Sequence, residues 1–209
     1  MLDGKAAEAY AAKMRGLVTA GVDMSVDARF LDVLCRRGSH ILDIGCGIGN
    51  AVRALRAAGH EAYGIDSSEQ VLSVAYELST ADWFRSLSAQ SVSVDSLARA
   101  ALPVEYDAIL MTGNVPAFLS SEELESVMCS VALLLNDGGI LVIGTTTASR
   151  GGPRDQDRIA ESVDLKLLHR YSDWHLTPWS RNSPWTVSVF GGEGQRDFGS
   201  GPDGIFILP

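Results

Sequence analysis

The chain has 209 residues, 46% of them apolar and 21% charged, with a formal net charge of −9. That length suits one large domain, and that apolar content supports a sizeable core and argues against general disorder. An acidic surface with no run of Lys and Arg excludes an evident nucleic-acid partner; the closest cluster, Arg36-Arg37, reads as the solvated end of a helix. No apolar run approaches the ~20 residues of a membrane span, so no membrane partner is expected. The N-terminal MLDGKAAEAYAAKM lacks a signal-peptide core. Cys35, Cys46 and Cys129 form neither a CxxC pair nor a Cys/His cluster at zinc spacing. The expectation is a cytoplasmic, reduced protein without a metal.

Tyr10, Met14, Leu17 and Val18 recur at helical spacing and predict a helix over residues 5–20. A second helix, over 26–35, follows the turn at Gly21 and is broken by Gly38 and Ser39. HILDI (40–44) has the continuous apolar character of a strand buried on both faces. GCGIGN follows, then a helix from Asn50 to Gly59. EAYGID (61–66) reads as the second strand, and SSEQVLSVAYEL as a helix with Ser67 or Ser68 as its N-cap. Residues 79–90 show no period and read as loop or short helix. SVSV (91–94) alternates like a third strand ending at Asp95, and YDAILMT (106–112) is the fourth. Ser120 and Glu123 make a capping box for a helix that buries Leu124, Val127, Met128, Val131 and Leu135 until Asp137-Gly138-Gly139 stops it. GILVIGT is the fifth strand. LKLLHRYSDW and PWTVSVF pair antiparallel across a Pro-containing loop. The Gly-rich tail beginning at residue 193 reads as loop, with IFILP (205–209) adding an edge strand.

Strand and helix alternate through most of this order, which predicts a parallel sheet with helices on both faces. The chemistry-bearing run is Asp43-Ile44-Gly45-Cys46-Gly47-Ile48-Gly49, at the carboxyl end of a buried strand, where open α/β sheets bind ligands. Glycines there let the backbone approach a ligand and supply N–H groups at a helix start. Asp66 ends the next strand, about 20 residues after the first glycine, where an acid can accept both hydroxyls of a ribose. A dinucleotide fingerprint, G-x-G-x-x-G, would place its third glycine at residue 50, which is Asn50. Here the third glycine is Gly49, and an Asp precedes the first glycine by two residues.

ILDIGCGIGN resembles motif I of the class I S-adenosylmethionine-dependent methyltransferases, hydrophobic-hydrophobic-D-x-G-x-G-x-G. YGIDSS resembles motif II, VDSL the motif after strand three, YDAILMTGN motif IV, and LLLNDGGILVIGT the motif around strand five. The resemblance covers about residues 5–190 and departs in having Asp137 where the family usually has Pro. It implies an α/β fold: a doubly wound, seven-stranded, mostly parallel Rossmann-like sheet with one antiparallel strand in a C-terminal hairpin. Residues 1–38 would form an N-terminal helical cover, 39–192 the cofactor-binding domain and 193–209 a tail. The implied cofactor is S-adenosyl-L-methionine, with S-adenosyl-L-homocysteine as product. Backbone at Gly45, Cys46 and Gly47 would line its methionine part, with Asp43 and Ser67 beside them. Asp66 would hold the ribose. Asp95 would accept from the adenine amine, with Asp82 as the competitor, and Ser96 would donate to the ring. Thr112, Gly113 and Asn114 would border the sulfonium. Tyr10 would cover the cofactor from the N-terminal helix, with Arg15 or Arg29 toward its carboxylate.

The implied activity is methyl transfer to an oxygen or nitrogen of a small-molecule substrate. The rival readings are a non-catalytic binder of the same cofactor and a nicotinamide-dependent oxidoreductase. Asn114-Val115-Pro116-Ala117 differs from the Asn-Pro-Pro-aromatic motif at its second and fourth positions, which leaves Asn114 as a loop residue near substrate. His175 is the candidate base, in a loop with Trp174, Trp179 and Trp185 that either walls a substrate pocket or packs on the sheet.

Overall fold

The computed structural model describes residues 4–192. The tail and the edge strand expected at IFILP lie outside the described residues.

Seven strands form one sheet: β1 (His40–Ile44), β2 (Glu61–Asp66), β3 (Phe84–Ser86), β4 (Tyr106–Met111), β5 (Leu135–Thr146), β6 (Lys166–Tyr171) and β7 (Trp185–Gly191), in the order β3-β2-β1-β4-β5-β7-β6. β1 to β5 pair in parallel, and β7 runs antiparallel between β5 and β6. The doubly wound, mostly parallel sheet with its C-terminal antiparallel strand is therefore the one the element order implies. Strand order reverses between β1 and β4, and the crevice at such a reversal is where open sheets take ligands.

The helices are α1 (Gly4–Thr19), α2 (Val26–Leu34), α3 (Asn50–Ala57), α4 (Glu69–Leu78), α5 (Val94–Arg99), α6 (Ser121–Leu134) and α7 (Pro153–Ser162). Alternate residues of each strand serve the two faces. Leu42 and Ile44 join Leu97 of α5, Val127 and Val131 of α6, and Ile159 of α7 in one core. Ile41 joins Phe30 and Leu31 of α2, Val52 and Leu55 of α3, and Leu72 of α4 in the other. A fully buried Leu, Ile or Phe contributes about 1.5–3 kcal/mol, so these two layers dominate the stability. α1 stands apart. Its buried Ala7 and Ala11 meet Ile48, Val71 and Val74, placing it as an outer layer on α4.

Three expectations change. SVSV is not a strand: β3 is Phe84–Ser86, inside the run with no visible period, and residues 91–94 span a 3-10 turn (Ala89–Ser91) and the start of α5. Ser93 and Ser96 cap each other's backbone N–H, so a short polar alternation became a helix start. The helix opened by Ser120 buries Leu134 where Leu135 was expected, and Leu135 already extends into β5. α7 was not anticipated; Pro153 at its first turn and the buried Gln156, Ile159 and Ala160 define it.

Candidate functional site

The glycine turn after β1 is locked by its surroundings. Gly45, Gly47 and Gly49 all have positive φ. At Gly45 a side chain would run into Val115, and at Gly49 into the Phe84 ring, so both positions combine a left-handed backbone with a close approach. The turn's amides do not stand open. The N–H groups of Gly45 and Cys46 both donate to the Ile65 carbonyl, at 2.8 and 3.0 Å. The Gly47 N–H donates to Asp66 Oδ2 at 3.1 Å, and Ser68, the N-cap of α4, donates its N–H to Asp66 Oδ1 at 2.9 Å. Asp66 thus joins the turn after β1 to the start of α4.

A cleft of about 250 Å³ opens beside this turn. Gly45, Gly47 and Gly113 line it with Tyr10 of α1, whose hydroxyl stands 3.6 Å from where a Gly47 side chain would begin. Asp66, Ser67, Ser68 and Val71 form one wall. Leu87, Ala89 and Gln90, which follow β3, face Val115, Phe118 and Leu119, in and beyond the 3-10 turn Val115–Phe118 after β4.

The electrostatics of the site are acidic. No Lys, Arg or His is among the described residues lining the cleft. Asp43 lies fully under the turn with Oδ1 buried and without a hydrogen-bond partner. Burial, reinforced by the charges of Asp27 and Asp66, pushes its carboxyl well above the usual range. Burial also raises Asp27, on α2, whose Oδ2 accepts from the Thr112 hydroxyl at 3.3 Å. Asp66 is raised by burial despite its backbone donors. Tyr10 is raised by burial and by Asp66 and Asp43, which keeps the phenol protonated and a donor.

The cleft brings together Tyr10, Gly45, Gly47, Asp66, Ser67 and Gly113 of the expected residues. Asp43 and Thr112 lie beneath it. Cys46 turns its buried sulfur toward Gly64, so only its backbone belongs to the turn, and burial holds its thiol well above the usual range. The others fall elsewhere. Arg15 pairs with Glu77 of α4, and Arg29 with Asp23; both pairs are exposed. Asp95 sits in the first turn of α5 and does not line the cleft, and the Ser96 N–H is already given to Ser93. Asp82 belongs to the 3-10 turn before β3 and does not line it either.

Asn114 turns away from the cleft. Its Oδ1 accepts from Thr145 Oγ1 at 3.1 Å and from the Thr146 N–H at 2.8 Å, clipping the turn after β4 to the end of β5. His175 is exposed, its N–H bonded to Asp173 Oδ1, and it does not line the cleft. Trp174 packs edge-on against Phe30 of α2 with ring centroids 5.5 Å apart, the packing alternative for this loop. The sequence reading missed Leu87, Ala89, Gln90 and Phe118. The absence of a period over 79–90 hid the three that follow β3.

A family model described as a methyltransferase domain matches residues 42–141. An uncharacterized methyltransferase of Bacillus thuringiensis is 25% identical over 168 residues, 78% of this chain and 72% of that protein. A TehB-like SAM-dependent methyltransferase from Corynebacterium glutamicum superposes with a TM-score of 0.80 at 28% identity, covering 90% of this chain and 98% of that one. The magnesium protoporphyrin IX methyltransferase of Synechocystis, solved with bound SAM, shares the fold at a TM-score of 0.62 and 17% identity, over 84% of this chain and 82% of that one.

Proposed function

We propose that this chain is a class I S-adenosylmethionine-dependent methyltransferase that transfers a methyl group to an oxygen or nitrogen of a small-molecule acceptor. The observation that carries the cofactor assignment is the acidic cleft over a turn whose amides are already engaged. A dinucleotide brings an anionic pyrophosphate that needs free N–H groups at the turn. Here those of Gly45, Cys46 and Gly47 are given to Ile65 and Asp66. S-Adenosylmethionine instead carries a sulfonium and an ammonium, and the unpartnered, buried Asp43 Oδ1 fits a cationic neighbour.

In this reading Asp66 holds the ribose, Gly45, Gly47 and Ser67 border the methionine part, and Tyr10 donates its hydroxyl across the top. Bound cofactor supplies a methyl group already activated on a positive sulfur. The protein's task is then to align the acceptor and exclude water. Tyr10 and Phe118 screen the cleft, and the Asn114 clip fixes the turn that carries Gly113. Because His175 and Asn114 both lie outside the cleft lining, the reading rests on alignment and not on a dedicated base.

Calorimetric titration with S-adenosylmethionine, S-adenosylhomocysteine and NAD tests the cofactor assignment, followed by a methyl-transfer screen over small alcohols, acids and amines. Binding of the two adenosyl compounds with turnover of a small acceptor is expected. Tight NAD binding with no response to either adenosyl compound would overturn the assignment. Cofactor binding with no transfer to any acceptor would favour a non-catalytic binder.

A further inference from the structure

We propose that Gln90, whose amide nitrogen faces Glu123, reads the exocyclic amine of the adenine base, a task the motif pattern would give to a carboxylate. The inference rests on the adenosyl cofactor occupying the cleft.

The cleft has an order along the sheet. Gly45, Gly47 and Tyr10 lie over β1, Asp66 ends β2, and Leu87, Ala89 and Gln90 follow β3. Neighbouring strands are about 4.8 Å apart, so each step along this row is one segment of an adenosyl ligand: methionine, ribose, base. Apolar Leu87, Ala89, Phe118 and Leu119 line the cleft together with Gln90, a setting suited to a flat ring. Neither Asp95 nor Asp82 is among the residues lining the cleft. Gln90 is the polar side chain of this segment that does line it.

The Gln90 amide has two ends with opposite hydrogen-bonding sense, and its neighbour decides which end faces in. Its Nε2 donates to Glu123 Oε1 at 3.4 Å. Glu123 is itself held, because Oε2 accepts the Ser120 N–H at 2.7 Å in the capping box of α6. An ionised carboxylate only accepts, so it can face only the amide nitrogen, and the carbonyl oxygen is left for the cleft. A carbonyl oxygen there accepts from an amine. It repels the oxygen that hypoxanthine carries at the same position.

The test compares S-adenosylhomocysteine with its deaminated analogue, S-inosylhomocysteine, by calorimetry on the full chain and on Gln90→Ala, Glu123→Gln and Glu123→Ala. The wild-type protein should prefer the adenine compound at least tenfold. Gln90→Ala should bring the ratio to within about threefold of unity, mainly by weakening the adenine compound. Glu123→Gln keeps an acceptor for the Ser120 N–H but lets the Gln90 amide turn over. It should lower the ratio by improving the inosine compound, an effect that loss of folding cannot mimic. Glu123→Ala should lower the ratio too, with a lower melting temperature from the lost cap. A ratio unchanged in Gln90→Ala while the adenine compound still binds would overturn this inference alone. Failure of wild-type protein to bind either compound would overturn the cofactor reading and this inference with it.

Discussion

Replacing Asp66 with Ala separates the internal role of this carboxylate from the ribose-binding role proposed for it. The side chain accepts the Gly47 and Ser68 N–H groups, one on each oxygen, at 3.1 and 2.9 Å. A carboxylate has about four acceptor sites, so each oxygen keeps capacity for one ribose hydroxyl. The variant therefore loses two internal bonds and two to ligand. A net internal hydrogen bond is worth about 0.5–1.5 kcal/mol, and more where the donor is left buried, so about 1–3 kcal/mol of stability should go. For a domain of this size that is a fall of roughly 2–4 °C in melting temperature per kcal/mol. Hydrogen bonds to a charged group contribute about 1.5–3 kcal/mol each, so the dissociation constant for S-adenosylhomocysteine should rise at least about tenfold. Asp66→Asn, which keeps one carbonyl oxygen and sheds the buried charge, should fall between the two on affinity. Calorimetric titration and thermal unfolding on the same preparations provide the two readings. A lowered melting temperature with an unchanged dissociation constant would make Asp66 only a loop staple and refute the ribose assignment.

Tyr10→Ala should weaken cofactor binding several-fold while barely changing the melting temperature of the free protein, because α1 is anchored through Ala7 and Ala11 and not through this ring. Amide exchange over residues 5–20 should be fast in the free protein and slow with S-adenosylhomocysteine bound, and protection independent of ligand would retire α1 as a closing element. Gly45→Ala adds a left-handed alanine and a clash with Val115, costing about 2–5 kcal/mol together, read as loss of melting temperature even without ligand. Cofactor affinity should decline as pH falls through the raised folded-state values of Asp27, Asp43 and Asp66, since their protonation removes the charge facing a cation; flat affinity from pH 8 to 5 would remove electrostatics from the account.

What was readable from the residues followed a simple physical rule: local patterns with a strong period or an obligatory backbone conformation survived, and weak ones did not. HILDI, EAYGID and YDAILM are buried on both faces, so their apolar runs are dense enough to identify. The glycine turn was readable because three left-handed positions, two of them closely approached by neighbouring side chains, favour glycine. β3 has only three residues, one of them buried, too short for a period to show. SVSV has the alternation of a strand, but two serines three residues apart also cap a helix, and the local hydrogen bonds won. The glycine turn lines the cleft as expected, whereas the partners of several other side chains come from positions that local sequence does not reveal. Nothing near Arg29 in the sequence reveals whether it turns to a ligand or to Asp23, or that Asn114 is spent on Thr145 and Thr146.

The buried carboxylates give this site a coupling that sequence motifs do not express. In the free protein Asp27, Asp43 and Asp66 all have raised affinities for protons, so the folded state binds more protons than the unfolded chain above about pH 4. Stability without ligand must then decline as pH rises from there through the folded-state values, and at neutral pH the fold carries that penalty. A cation bound in the cleft, which Asp66 lines and beneath which Asp43 is buried, should lower those values, so part of its binding free energy would come from charges the empty fold keeps at a cost. The Tyr10 hydroxyl, on the outer helix, feels two of these carboxylates, Asp66 and Asp43. Seating of α1 and neutralisation of the carboxylates are therefore linked through one set of charges, and each should strengthen the other. Asp43→Asn tests that linkage: neutral-pH stability of the free protein should rise or hold, while the stabilisation added by S-adenosylmethionine shrinks. A variant that loses stability and keeps the full ligand effect would show Asp43 to be a packing residue and break the link.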